Sequence, residues 1–161
     1  MRKLIVGLFT LLCLCINANS NEIISEIETH WNQIDTMSGE FKQEDSDGKI
    51  LFGKFYFLKP YYSKFVYFDR SENIITNESL FVVVDNENYK IESYSIGNNV
   101  LKKILSKELS IDQQFDLIDF NSKNDEHILT LKMKDDDVNY LNIIFDASLL
   151  DIKKWEIYDE F

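Results

Sequence analysis

The stretch Gly53-Lys54-Phe55-Tyr56-Phe57-Leu58-Lys59-Pro60 constrains the fold of this chain more than any other. It is a strongly apolar β-type run that stops at a proline, which cannot donate a ladder hydrogen bond. A second aromatic run, Lys64-Phe65-Val66-Tyr67-Phe68, follows almost at once. Side chains alternate across a strand, so Phe55 and Phe57 share one face, and Phe65 and Tyr67 share a face of the next strand. A sheet face lined with rings of this size must be covered, by the protein's own core or by a guest.

The hydrophobic period changes along the chain. Ile23, Ile24, Ile27, Trp31 and Ile34 fall on one helical stripe, which predicts a helix from about Glu22 to Ile34, capped by Ser20 or Asn21. The period then becomes two. Met37, Gly39 and Phe41 face one way, and Ser38, Glu40 and Lys42 the other. Asp45-Ser46-Asp47-Gly48 has the composition of a hairpin turn, and Ile50 to Leu58 is the next strand. Further strands are predicted near 63–68, 73–76, 80–85 and 88–94. Val100, Leu101, Ile104, Leu105 and Leu109 then form an apolar helical stripe between Gly97 and Ile111, with Lys102, Lys103 and Lys107 mostly away from it. Strands resume near 115–119, 127–133, 138–145 and 150–158, separated by Asp135-Asp136-Asp137 and Asp146-Ala147-Ser148. With one proline and no low-complexity segment, nothing marks a domain boundary. A meander this long closes into a barrel or curls around a helix to protect its edges. The predicted fold class is mainly β with a few α-helices. It is an open, curled antiparallel β-sheet, an incomplete barrel, covered by an N-terminal helix and a mid-chain lid helix.

The N-terminus reads as a secretory signal peptide over residues 1–20, leaving one domain over 21–161. Arg2 and Lys3 precede the apolar run Leu4 to Ile16, and Ala18 and Ser20 are small residues before a cut at Asn21. That run is too short to span a bilayer comfortably. Both cysteines, Cys13 and Cys15, lie within it, so the mature chain has no thiol for a disulfide or a metal. Leu12 and Leu14 precede them, where acylation needs a small residue. The expected product is free in the periplasm. The formal net charge of −11 becomes −13 once Arg2 and Lys3 are removed. An acidic surface of this kind argues against nucleic acid and weakly against anionic lipid headgroups.

No catalytic constellation emerges. His30 and His127 are isolated, no serine sits in a glycine-flanked elbow, and five scattered glycines make no phosphate loop. Asp135-Asp136-Asp137 lacks the spaced oxygens and glycine of a calcium loop. No enzyme activity, cofactor or metal is expected. Aromatic and aliphatic surface remains, and periodicity alone does not separate a filled barrel from a hollow one.

Met37-Ser38-Gly39-Glu40-Phe41-Lys42-Gln43, Gly53-Lys54-Phe55-Tyr56-Phe57-Leu58-Lys59-Pro60 and Ser63-Lys64-Phe65-Val66-Tyr67 resemble successive strand motifs of the outer-membrane lipoprotein carrier family, LolA, with LolB as its anchored relative. Asn77-Glu78-Ser79 stands where the family has its strand–turn–strand. Ile152-Lys153-Lys154-Trp155 resembles its late strand. The resemblance implies a half-barrel with a hollow closed by short helices, in a non-enzymatic periplasmic chaperone. Such a chaperone takes lipoproteins by their acyl chains from an inner-membrane releasing transporter towards an outer-membrane acceptor. It implies a monomer, and the lack of a usable lipidation cysteine favours the LolA role. Two departures stand out. Lys59 occupies the place of the arginine that latches the family's lid, and lysine lacks its planar fork of donors. The chain also stops at Phe161, where relatives continue.

On this resemblance, Phe41, Phe55, Phe57, Phe65 and Tyr67 line a lipid-binding cavity. Leu101, Ile104 and Leu105 form the underside of the lid, and Lys59 is the latch. A different class of function fits the same sheet: a periplasmic sensor or partner-binding module whose aromatic face is filled by its own helices.

Overall fold

The periodicities resolve, in a computed structural model describing residues 9–44, 47–134 and 140–158, into three helices and ten strands among those residues. The order begins with α1 (Phe9–Asn32), β1 (Thr36–Glu44), β2 (Ile50–Leu58), β3 (Tyr62–Tyr67), β4 (Glu72–Thr76), β5 (Leu80–Asp85) and β6 (Lys90–Ser95). It continues with α2 (Val100–Ile104), α3 (Ile111–Gln114), β7 (Phe115–Lys123), β8 (Glu126–Met133), β9 (Tyr140–Asp146) and β10 (Ile152–Tyr158). The chain is mainly β, and its antiparallel sheets are open, not closed into a barrel, as expected. The strands are divided between a six-stranded sheet, β1 to β6 in chain order, and a four-stranded sheet ordered β10-β9-β8-β7. Its contacts also group into two compact units, residues 32–110 and residues 1–31 with 111–161.

In the unit of residues 32–110, each turn has a chemical reason. Gly48 takes φ 74° after β1, and Tyr61 takes φ 72° after the cis Lys59-Pro60 bond that ends β2. Asn77 Oδ1 accepts from the backbone N–H of Ser79 and of Leu80, both at 2.8 Å, turning β4 into β5. Asp85 does the same for Glu87 and Asn88 between β5 and β6. Asp45 and Ser46 of the first predicted turn lie outside the described residues.

In the other unit, β8 alternates cleanly. His127, Leu129, Leu131 and Met133 are buried, as are Leu141, Ile143 and Phe145 on their pairing partner β9. From α1, Ile24, Ile27 and Trp31 are buried, the centre of the predicted stripe. The helix boundaries differ from those expected. α1 runs on from Phe9 through Ser20 and Asn21, so neither caps it, and it ends at Asn32, leaving Ile34 outside. From Phe9 to Ile16 the apolar run has no glycine or proline, and it continues the same helix. Two bonds tie α1 to its own unit: His30 Nε2 to Asp151 Oδ1 at 2.9 Å, and Ile111 N–H donating to Glu28 Oε1 at 2.5 Å. The predicted turn Asp135-Asp136-Asp137 lies outside the described residues.

The helix expected between Gly97 and Ile111 is shorter than its apolar stripe: it covers only α2, Val100–Ile104, and α3 starts at the far boundary, Ile111. α2 closes at Leu105, whose N–H donates to Leu101 O. Ser106 then turns the chain, its N–H donating to Lys103 O and its hydroxyl to Glu108 O. Leu109 keeps the apolar period but is buried outside any helix.

Candidate functional site

Two Gly-x-Phe motifs build the aromatic face. The antiparallel register of β1 and β2 sets Gly39 opposite Phe55 and Phe41 opposite Gly53. A Cβ on Gly39 would stand 2.9 Å from Cε1 of Phe55. One on Gly53 would stand 2.6 Å from Cε1 of Phe41 and 2.3 Å from the carbonyl oxygen of Val66. Each phenylalanine therefore lies over the other strand's glycine, and the motifs interlock. A ring laid over a cross-strand glycine recovers the packing that the missing side chain forgoes.

β3 completes the face, with Phe65 opposite Phe55 and Tyr67 opposite Gly53. The five sequence-predicted rings form one connected cluster. Centroid separations are 4.7 Å for Phe55–Phe57, 5.8 Å for Phe57–Phe65, 5.6 Å for Phe41–Phe65 and 5.2 Å for Phe41–Tyr67. The last three meet edge to face, each pair contributing about 0.5–1.5 kcal/mol beyond burial. Phe57 and Tyr67 are buried, whereas Phe41, Phe55 and Phe65 are half-buried and keep ring area for further apolar contact.

Polar groups sit at the margins. The Tyr67 hydroxyl donates to Gln43 Oε1 at 2.9 Å. Burial pushes the Tyr67 phenol up from its ordinary pKa, and Arg70, whose guanidinium carbon lies 5.3 Å from the ring centroid, opposes that shift. Beside Phe57, Ser63 and Thr76 share a buried hydroxyl–hydroxyl bond of 2.6 Å.

Of the sequence-predicted lid residues, Ile104 and Leu105 are buried and Leu101 is half-buried. Asn99 caps α2 by accepting from the N–H of Leu101 at 2.8 Å. Lys59 is half-buried, and its backbone N–H donates to Asp35 O at 2.8 Å. Burial lowers the pKa of its amine, and the charge of Asp35 raises it. Two residues not singled out from the sequence also act here. The backbone N–H of Tyr61 donates to Leu105 O at 2.7 Å, joining the β2–β3 turn to the end of α2. Asn32 accepts from the N–H of Leu109 at 2.8 Å and donates to its carbonyl at 2.9 Å, holding the segment after α2. A main-chain donor leaves no mark in sequence. Asn32 was expected inside the first helix, and its bonds to a segment 77 residues away leave no local signal.

The face as a whole offers apolar area and ring edges, the means of binding an apolar group by burial. Among the described residues, no helix is long and apolar enough to cross a membrane.

A family model described as "Outer membrane lipoprotein carrier protein LolA" matches residues 32–161. Among curated proteins, the chain is similar to "Uncharacterized protein RP864" of Rickettsia prowazekii (strain Madrid E). The two are 28% identical over 121 residues, which cover 71% of this chain and 56% of that protein. The chain thus spans little more than half the length of that curated relative.

Proposed function

This chain belongs to the LolA family of outer membrane lipoprotein carrier proteins, and from that membership we propose that it binds lipoprotein acyl chains and carries them through the periplasm. In this reading residues 1–20 direct export and are removed, and the mature carrier works without a catalytic step. It receives cargo from an inner-membrane releasing transporter and passes it towards the outer membrane.

The interlocked ring cluster on β1–β3 carries the reading. Moving an acyl chain of roughly 16 carbons into water costs on the order of 10 kcal/mol, so a carrier needs apolar surface of comparable extent. Phe41, Phe55 and Phe65 keep exposed ring area, and they stand in the motifs that resemble the family's cavity-lining strands. α2 is then the lid, with Ile104 and Leu105 as its underside. Tyr61 N–H shares with Lys59 the task of holding it, through the bond to Leu105 O. A lid that exchanges its own apolar side chains for cargo needs two states of similar free energy, and loading then requires no nucleotide.

The test is mass spectrometry of lipoproteins that co-purify with the periplasmic protein. The wild type is expected to bring down acylated lipoproteins. Phe57→Glu, and Phe55→Glu at the less buried position, should lose most of them while remaining folded by circular dichroism. Folded variants that retain cargo at the wild-type level would remove the ring cluster from the binding site.

A further inference from the structure

Both sides of β2 are apolar, yet only one is covered. Leu51, Gly53 and Phe57 are buried, whereas Phe52 and Tyr56 on the opposite side are 48% and 46% exposed. The register continues that outward face through Tyr62 on β3 and Ile75 on β4, 54% and 38% exposed. Lys54 lies between Phe52 and Tyr56 on β2, and Lys64 is paired with Tyr56 on one side and Ile75 on the other. Neither lysine has a carboxylate within ion-pair distance among the described residues. The chain holds 28 acidic residues, yet the outward positions of β2 to β6 carry none. The two carboxylates of this face, Glu40 and Glu44, are confined to edge strand β1, where Glu44 is bonded by Lys42 at 3.2 Å.

We propose that the outward face of β2–β4 docks on an anionic phospholipid surface. An exposed apolar patch this continuous marks an interaction surface. The placement of the lysines selects the occupant. Cores of protein–protein interfaces are depleted in lysine, and burying this face in such a core would strip the Lys64 ammonium of water with no carboxylate within ion-pair distance, and leave Lys54 only its cross-strand neighbour Glu40. A headgroup layer instead brings phosphates to both amines while the Phe52, Tyr56 and Tyr62 rings settle at the depth aromatic side chains favour. The net charge opposes approach only over distances that physiological salt screens, about 8 Å. The inference goes beyond the carrier reading, since a docking face need not hold acyl chains.

The experiment is sedimentation of the full chain with vesicles of phosphatidylcholine alone or with roughly a third phosphatidylglycerol, at low and high salt. The wild type should prefer the anionic vesicles and release as salt rises. A lysine beside an anionic surface is worth about fivefold in partitioning, so the Lys54→Glu/Lys64→Glu double variant should bind at least about tenfold more weakly. Phe52→Ser/Tyr56→Ser should bind more weakly to both vesicle types, and Lys107→Glu should bind as the wild type does. Every substituted side chain is exposed, and circular dichroism checks the fold. No preference for anionic vesicles, or a double lysine variant that binds like the wild type, overturns the proposal. So does a solution dimer that Phe52→Ser/Tyr56→Ser dissociates, which would assign the face to a second copy.

Discussion

At the scale of single residues, the two glycines of the Gly-x-Phe motifs are not equivalent. An added methyl on Gly39 meets only the far edge of the Phe55 ring, at 2.9 and 3.0 Å, which a small ring movement relieves. On Gly53 it meets the Val66 carbonyl oxygen at 2.3 Å as well as the Phe41 ring, and the carbonyl belongs to the paired backbone of β3. Gly53→Ala should therefore destabilise by about 3 kcal/mol, the upper end of the usual range for overpacking that also shifts backbone. Gly39→Ala should cost about 1 kcal/mol or less. Urea unfolding of both variants checks the order, and equal losses would mean that β2 and β3 can separate at Gly53 without penalty. The glycines and phenylalanines were legible as motifs. That each ring lies over the other strand's glycine was not, because the antiparallel register decides it.

At the scale of elements, two hairpins are closed by aspartates whose ionised form the fold favours. The Asp85 carboxylate accepts from Asn88, through side chain and backbone, from the Ser71 hydroxyl and from Glu87 N–H, holding its pKa at about 2. Asp146 is also held at about 2, by the Ser148 hydroxyl and by the backbone N–H groups of Leu149 and Ser148. A carboxylate with a depressed folded pKa contributes stability that is complete above its unfolded value near 4. The contribution fades as pH falls through about 2. Stability measured by urea unfolding should decline from pH 4 to pH 2. In Asp85→Asn/Asp146→Asn it should start lower at neutral pH and decline less steeply, and an unchanged slope would show that other carboxylates govern the acid limb. The strand at 80–85 and the turn at Asp146 were both legible, since period two and Asp-rich turns are local signals. The mid-chain helix was legible as an amphipathic stripe, but its stop at Ile104 was not. Leu109 continues the stripe while its backbone is held by Asn32.

At the scale of the whole molecule, the proposed function makes stability depend on cargo. A ligand that binds only the folded protein raises the unfolding free energy by RT ln(1 + [L]/Kd), about 2.7 kcal/mol at a hundredfold excess over Kd. A diacylated lipopeptide should raise the melting temperature of the wild type as its concentration increases, and the unacylated peptide should not. Phe57→Glu should lose most of the shift. Equal shifts from both peptides would mean that recognition rests on the polypeptide and not on the acyl chains.

The sequence by itself determined the local periods: an N-terminal helix, strands that alternate aromatic and polar residues, turns rich in Asp, Asn and Gly, and five rings on shared strand faces. These follow from a few neighbouring residues, whose side-chain directions the backbone geometry imposes. Only the tertiary structure decided that ten strands divide into sheets of six and four, and that α1 groups with the C-terminal strands. It also decided that the Tyr61 main chain reaches the end of α2. Each of these is a contact between residues distant in sequence, which no local period encodes. The two sides of β2 make the point most directly. Ile50, Phe52, Tyr56 and Leu58 are as apolar as Leu51, Phe55 and Phe57, so composition could not say which side is covered. Pairing and burial decided it, leaving one side for the ring cluster and the other facing solvent with Lys54 on β2 and Lys64 beside it on β3.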